Sequence, residues 1–173
     1  MFLNYIKNFF LKYTLKNKWR EVSSPAIATV RSIGLLLDET VFSQKDNLIQ
    51  ELIANGFAGN SIRILVYRDT INTKETYSEY TFNGNSLNWD GTIKDEVINE
   101  FIETEFDLLI SYYEIEKAIL LLITNNSKAK FKVGFSSIDK RLHHLMISTA
   151  IENHTVFVNE LCKYLKILNK IES

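Results

Sequence analysis

The sequence predicts an α/β fold: a single three-layer domain with a mostly parallel sheet, preceded by an N-terminal amphipathic helix. Three observations predict it. Residues 106–135, FDLLISYYEIEKAILLLITNNSKAKFKVGF, read as strand, buried helix and strand, with a polar break at Asn125-Asn126-Ser127. Two neighbouring parallel strands require such a crossover, which is almost always right-handed. The run RSIGLLLD at 31–38 is continuously apolar in its centre, as expected of a strand covered on both faces. Strand and helix patterns then alternate along the rest of the chain, the order that builds a parallel sheet with helices on both sides.

The elements follow in order. Over residues 2–20, a helical projection places Phe2, Leu3, Ile6, Phe9, Phe10 and Tyr13 on one arc. Leu11, Leu15, Trp19 and Val22 form a second stripe nearly opposite, with Lys7, Lys12, Lys16, Lys18 and Arg20 mostly between or beyond them. One stripe of such a helix is free to dock on its own domain while the other meets something else. Ser23-Ser24-Pro25 ends the pattern, because proline drives the preceding residue to an extended conformation. The predicted organisation is therefore residues 1–22 as the helix and 26–173 as the α/β domain. After the strand at 31–38, Ser43 and Asp46 offer a capping-box-like start to a helix, with Leu48, Ile49, Leu52 and Ile53 inward and Gly56 as its left-handed cap. Ile62–Tyr67 is the second strand. Residues 69–92 are polar and rich in turns, with a short strand at Tyr80-Thr81-Phe82. Thr92 and Asp95 cap a helix running to Glu103. The crossover unit follows, then a last strand at His144–Ser148 and a closing helix at Thr155–Leu168.

The totals bound the function. A chain of 173 residues is one domain, large enough to bury roughly 70% of its unfolded surface. A composition of 46% hydrophobic and 24% charged residues is that of a globular protein. The net charge of −1 gives no general attraction to nucleic acid, which is not an expected partner. A lone Cys162 makes no internal disulfide, and the first residues lack the clean apolar core of a signal peptide. A cytoplasmic protein is expected, with association at the inner membrane surface as an extension of that expectation.

In an open parallel sheet, ligands sit beyond the carboxyl ends of the strands, where strand order reverses. Asp38-Glu39-Thr40 follow the first strand, Asp69 the second, and Glu114 the strand of 106–113. A dinucleotide site would need a glycine-rich turn at the first position so that backbone amides reach a pyrophosphate. No G-x-G-x-x-G and no G-x-x-x-x-G-K occurs, so no cofactor is expected. The four acids suit a hard cation; the competing reading is solvated loop residues and favourable charges at helix N-termini. Lys128, Lys130 and Lys132 alternate with apolar residues, which puts three ammoniums on one side of a strand start. They read either as an anion site or as solvated lysines blunting a sheet edge. Tyr112, Tyr113, Trp89 and Tyr80 are the aromatic residues nearest the ligand edge. The candidate rim is Asp38, Asp69, Tyr112, Glu114, Lys128, Lys130 and Lys132. Adjacent His143 and His144 make a poor chelating pair, Cys162 lies on an apolar helix face, and no metal site, zinc motif or nucleophile elbow is found.

The segments SIGLLLDE, SLNWDGTIKDEVINEFIETEFDLLISYY and SKAKFKVGF resemble an uncharacterised family of small bacterial Rossmann-like α/β proteins, a domain of unknown function, over roughly residues 20–168. That resemblance implies a Rossmann-like sheet and supplies no activity or catalytic residue. The central unit is similar, more loosely, to the N-terminal domain of heptosyltransferase-type glycosyltransferases, whose second nucleotide-binding domain is not expected from these 173 residues. The leading expectation is a non-catalytic interaction or binding module, with residues 2–20 contacting a twin in a homodimer, a protein partner or a membrane surface. The alternative is a binder of, or enzyme acting on, a phosphate- or sugar-bearing ligand at the strand ends.

Overall fold

The computed structural model describes residues 29–171 together with residues 9, 12–14, 16, 17 and 19. Six strands run in chain order: β1 (Ile33–Asp38), β2 (Ile62–Tyr67), β3 (Tyr80–Phe82), β4 (Leu108–Tyr112), β5 (Phe131–Phe135) and β6 (Leu145–Ile147). Four helices accompany them: α1 (Lys45–Ala54), α2 (Glu96–Glu103), α3 (Ala118–Asn126) and α4 (His154–Ile167). The sheet has the order β3-β2-β1-β4-β5-β6, and every pairing in it is parallel. The chain thus starts at the centre, builds outward to β3, returns to β4 and builds the other half. The switch point lies between β1 and β4.

The layers follow from side-chain alternation. On one face, Tyr112 of β4 and Phe135 of β5 pack on Phe157 of α4, and α1 packs beside α4. On the other, the Ser111 and Thr124 hydroxyls are 3.1 Å apart and Gly34 lies against Phe101 and Phe106 below α2 and α3. The central strands β1, β4 and β5 are buried along their whole length, which is why their sequences show no polar alternation. The α/β class and the three layers are as the sequence predicts, with a sheet that is wholly parallel rather than mostly so. No helix among the described residues is long and apolar enough to cross a membrane.

Local details confirm and correct the reading. Asp95 caps α2, accepting from the Val97 and Ile98 N–H groups. Thr92 takes no part; it bonds instead to Asp90 in the preceding turn. The capping box at Ser43 and Asp46 does not form: Gln44 is the cap residue of α1 and makes no side-chain bond. Phe42 is buried against Tyr112 with ring centroids 4.7 Å apart, and the Val41 and Phe42 N–H groups both bond to the Asp38 carbonyl. That tight turn delays the helix by one residue. Gly56 has φ +98° and ends α1 as expected.

Of the N-terminal helix, residues 9, 12–14 and 16 are helical. The remainder of the predicted 2–20 helix, its end near Ser24 and the boundary between 22 and 26 lie outside the described residues. Among those described, Trp19 is buried at 7% exposure, whereas Phe9 and Tyr13 are 67% and 66% exposed.

Candidate functional site

The carboxyl ends of β1, β2 and β4 bring together a cluster centred on one lysine. Asp38 closes β1 and is fully buried. Its Oδ1 accepts the Thr40 N–H at 3.0 Å, and its Oδ2 stands 2.8 Å from Lys117 Nζ. That contact is close enough for an ion pair but off-axis for a hydrogen bond. Lys117 precedes α3 and reaches back across the switch point. Its ammonium also lies 3.0 Å from Asp69 Oδ1 and 4.5 Å from the centroid of the Tyr67 ring. The Tyr67 hydroxyl donates to Asp69 at 2.9 Å, and the Asp69 N–H donates to Thr40. Burial first, then the neighbouring Asp69 carboxylate, pushes the Tyr67 phenol far above its ordinary value.

Two more networks complete this end of the molecule. Glu39 receives Arg68 at 2.7 Å and Lys45 at 3.4 Å. Glu116, between β4 and α3, receives Lys12 at 2.8 Å and Lys16 at 2.7 Å from the N-terminal helix, and its Oε1 accepts the Asp139 N–H. Arg141 holds Asp139 through two side-chain bonds and donates to the Lys16 carbonyl at 2.7 Å, with its guanidinium 5.8 Å from the Trp19 ring. Burial alone would raise the Glu116 carboxyl; the two ammoniums override it and hold it below the usual range. Hydrogen bonds from Arg141 keep Asp139 at about 2. The N-terminal helix is thus clasped across the strand ends by charge. Chemically, these are carboxylates already neutralised by cations of the same chain. Among the described residues, no three His, Cys, Asp or Glu side chains group as a metal site requires.

The predicted rim divides. Asp38 and Asp69 do converge, on a lysine that the sequence reading did not single out. Lys117 was detectable as the one base in the stretch Glu114-Ile115-Glu116-Lys117 that leads into α3, but its reach to β1 is a tertiary fact. Glu114 follows β4 as expected, half-buried, with its carbonyl accepting from Ser137. Tyr112 is not at the rim. Its ring is buried among Phe42, Phe135 and Phe157, and its hydroxyl donates to the Ile151 carbonyl at 2.6 Å. Lys128, Lys130 and Lys132 are at the opposite end of the sheet from the acids. Phe131 is level with Leu108 and Ile33 in the strand register, so Lys130 stands below the start of strands whose far end carries Asp38. The five residue-to-residue steps from Ile33 to Asp38 correspond to about 16 Å at the rise of a parallel strand. Lys128 pairs with Glu103 and Lys130 with Asp107. Lys132 is buried and donates to the Thr124 and Asn125 carbonyls at the end of α3. Burial pushes its ammonium down to about 8. The three lysines do not form one anion site.

The aromatic and histidine expectations divide similarly. Tyr113 is fully buried beside Thr124, whereas Trp89 and Tyr80 are exposed and the Tyr80 hydroxyl donates to Asp95. His144 accepts the Lys132 N–H and stacks on Phe131. His143 is buried against Gly134, with neither ring nitrogen hydrogen-bonded.

No curated protein and no solved structure matches the chain. Residues 7–168 match a family of unknown function (DUF6913), a span that takes in the clasped helix, all six strands and the Lys117 cluster, and the chain belongs to that family.

Proposed function

We propose that this protein is a non-catalytic interaction module whose N-terminal helix contacts an anionic membrane surface, at the inner face of the membrane in a cytoplasmic protein. The observation that carries this reading is the outward pair Phe9 and Tyr13, one helical turn apart and both about two-thirds exposed, whereas Trp19, outside the helical residues, is buried. Residues 1–20 contain Lys7, Lys12, Lys16, Lys18 and Arg20 and no acid. Aromatic side chains at the headgroup level and basic neighbours are what an interfacial helix offers to anionic lipid. Each basic residue near such a surface is worth about 1 kcal/mol, so binding is reversible and salt-sensitive. The strand-end carboxylates Asp38, Glu39, Asp69, Glu116 and Asp139 are all paired internally, which favours a structural over a catalytic role for that rim.

Co-sedimentation with vesicles tests the reading. The full chain pellets with vesicles containing phosphatidylserine, not with neutral ones, and the Phe9→Ser/Tyr13→Ser variant stays in the supernatant. Equal behaviour of the two proteins, or no sedimentation of either, ends it. A protein or homodimer contact through residues 2–20 would appear instead as sedimentation-independent association.

A second reading rests on the convergence of Asp38, Lys117, Asp69 and Tyr67 at the switch point. It makes the protein a binder of a phosphate- or sugar-bearing ligand. A ligand at 100 times its dissociation constant raises stability by about 2.7 kcal/mol. A thermal-shift panel of nucleotides, sugar nucleotides and divalent cations with no response removes this second reading.

A further inference from the structure

The short turn Lys140–Leu142 joins the N-terminal helix to the sheet. Asp139 opens the turn by accepting the Arg141 N–H. The same two residues hold the helix. Arg141 donates to the Lys16 carbonyl at 2.7 Å, its guanidinium lies 5.8 Å from the Trp19 ring, and Asp139 is 3.8 Å from the Lys16 ammonium. The residues that follow Arg141 seat the turn on the sheet. Leu142 and His143 are buried, and the His143 ring lies so close over Gly134 of β5 that a Cβ there would overlap it. Neither nitrogen of that ring has a hydrogen-bond partner. An imidazolium in the same place would bury a charge and two unpaired N–H donors, which is costly. The titratable and charged groups around the ring are Lys132 of β5, His144 next in the chain and Asp139 of the turn. α3, which packs on the turn, is uncharged from Ala118 to Asn126. Lys132 opposes a second positive charge, and Asp139 is already engaged by Arg141.

We propose that His143 is an acid-sensitive latch on the N-terminal helix. When the ring takes up a proton it leaves its seat over Gly134, the turn moves with it, and Arg141 and Asp139 withdraw from Lys16 and Trp19. The ion pairs that hold the helix are not the sensor in mild acid. Hydrogen bonds from Arg141 keep Asp139 at about 2, and Glu116, which burial alone would raise, is held low by Lys12 and Lys16, so both stay charged at pH 5. In the open turn His143 titrates near its ordinary 6.5, whereas burial first, then Lys132, keeps it at about 3 in the closed one. Opening therefore becomes about thirtyfold more favourable between pH 7.5 and pH 5. The latch governs how the helix is held and is independent of what the helix binds.

Hydrogen–deuterium exchange of the full chain at pH 7.5 and pH 5, corrected for the intrinsic effect of pH on exchange, tests the proposal. The amides of residues 12–14 and 16 should lose protection about thirtyfold at pH 5. They should also stay less protected than those of β1 and β4 at both pH values, the mark of a local opening. His143→Leu keeps Lys132, His144 and Asp139, and its helix should be equally protected at both pH values. Gly134→Ala displaces the ring without a proton, so its helix should already be deprotected at pH 7.5 and change little at pH 5. Wild-type helix protection that does not vary with pH overturns the proposal. So does a fall of the same size in His143→Leu, or helix amides that exchange only together with those of β1 and β4, because the event is then global unfolding. If His143→Leu does not fold, Gly134→Ala decides: a helix as protected at pH 7.5 as in the wild type overturns the proposal.

Discussion

His143 should make this fold acid-sensitive, in an amount the structure lets one work out. The imidazole is 4% exposed, lies against the backbone of Gly134, and has no hydrogen-bond partner on either nitrogen. Burial first, then the positive charge of Lys132 and the proximity of His144, pushes it down to about 3, with Asp139 pulling weakly the other way. In the unfolded chain it titrates near its ordinary 6.5. Between those two values the unfolded state carries a proton that the folded state refuses, so stability rises with pH. The contribution is complete above pH 6.5 and is lost progressively as pH falls toward 3. At pH 4.5, two pH units below the unfolded value, the loss is about 3 kcal/mol at 1.36 kcal/mol per unit. That is a large part of the 5–15 kcal/mol typical of a domain. His143→Leu removes the titrating group while filling a similar space over Gly134. Urea unfolding of both proteins from pH 7.5 to 4.5 should show the variant losing about 3 kcal/mol less than the wild type. Glu116, Asp107 and Asp139, whose carboxyls are also held low, titrate in both proteins and cancel in the difference. Parallel stability curves for the two would refute the argument, since they would mean that His143 takes up its proton without cost.

Three further outcomes are expected. Lys117→Met strands the buried Asp38 carboxylate and should cost about 3–5 kcal/mol in denaturant unfolding, most of it recovered in the Asp38→Asn/Lys117→Met double variant. Equal costs for single and double variants would show that the pair is not coupled. Gly34→Ala places a methyl 2.8 Å from the Phe106 ring and 2.9 Å from Phe101, both in the core; overpacking of this kind costs about 1–3 kcal/mol, and Phe106→Leu should recover part of it. Glu116→Gln removes the negative charge that receives Lys12 and Lys16, so affinity for anionic vesicles should rise about fivefold, the equivalent of about 1 kcal/mol. Weaker vesicle binding by that variant would mean that the clasp presents the helix instead of restraining it.

The elements of this fold were legible where a local rule decides them. Asp95 precedes an amphipathic run and caps it. Gly56 stands where a left-handed residue is required and has that conformation. The apolar run before Asn125 is a helix buried from Ala118 to Thr124, because it packs on β4, on α2 and on the turns at Gly84–Ser86 and Lys140–Leu142. The rule failed at Ser43, where the burial of Phe42 outweighed a side-chain cap. Site residues were less legible. Position after a strand correctly brought Asp38 and Asp69 to one end, since in a parallel sheet all such positions share an end. The same logic places Lys128 and Lys130, which come before a strand, at the other end. Tyr112 was misread because alternation tells that neighbours face opposite sides, not which side is core at a strand's last residue.

Strand direction, layer order and the acids at the carboxyl edge are properties of hydrophobic period and element order, and these belong to the chain itself. The partner of each charge is not such a property. Lys117 meets Asp38 across 79 positions of sequence, and Lys16 meets Glu116 across 100. Those pairings depend on the distance between ends of strands that become neighbours only when the sheet closes. Periodicity reports which face a residue takes; only the folded molecule brings two faces within 3 Å.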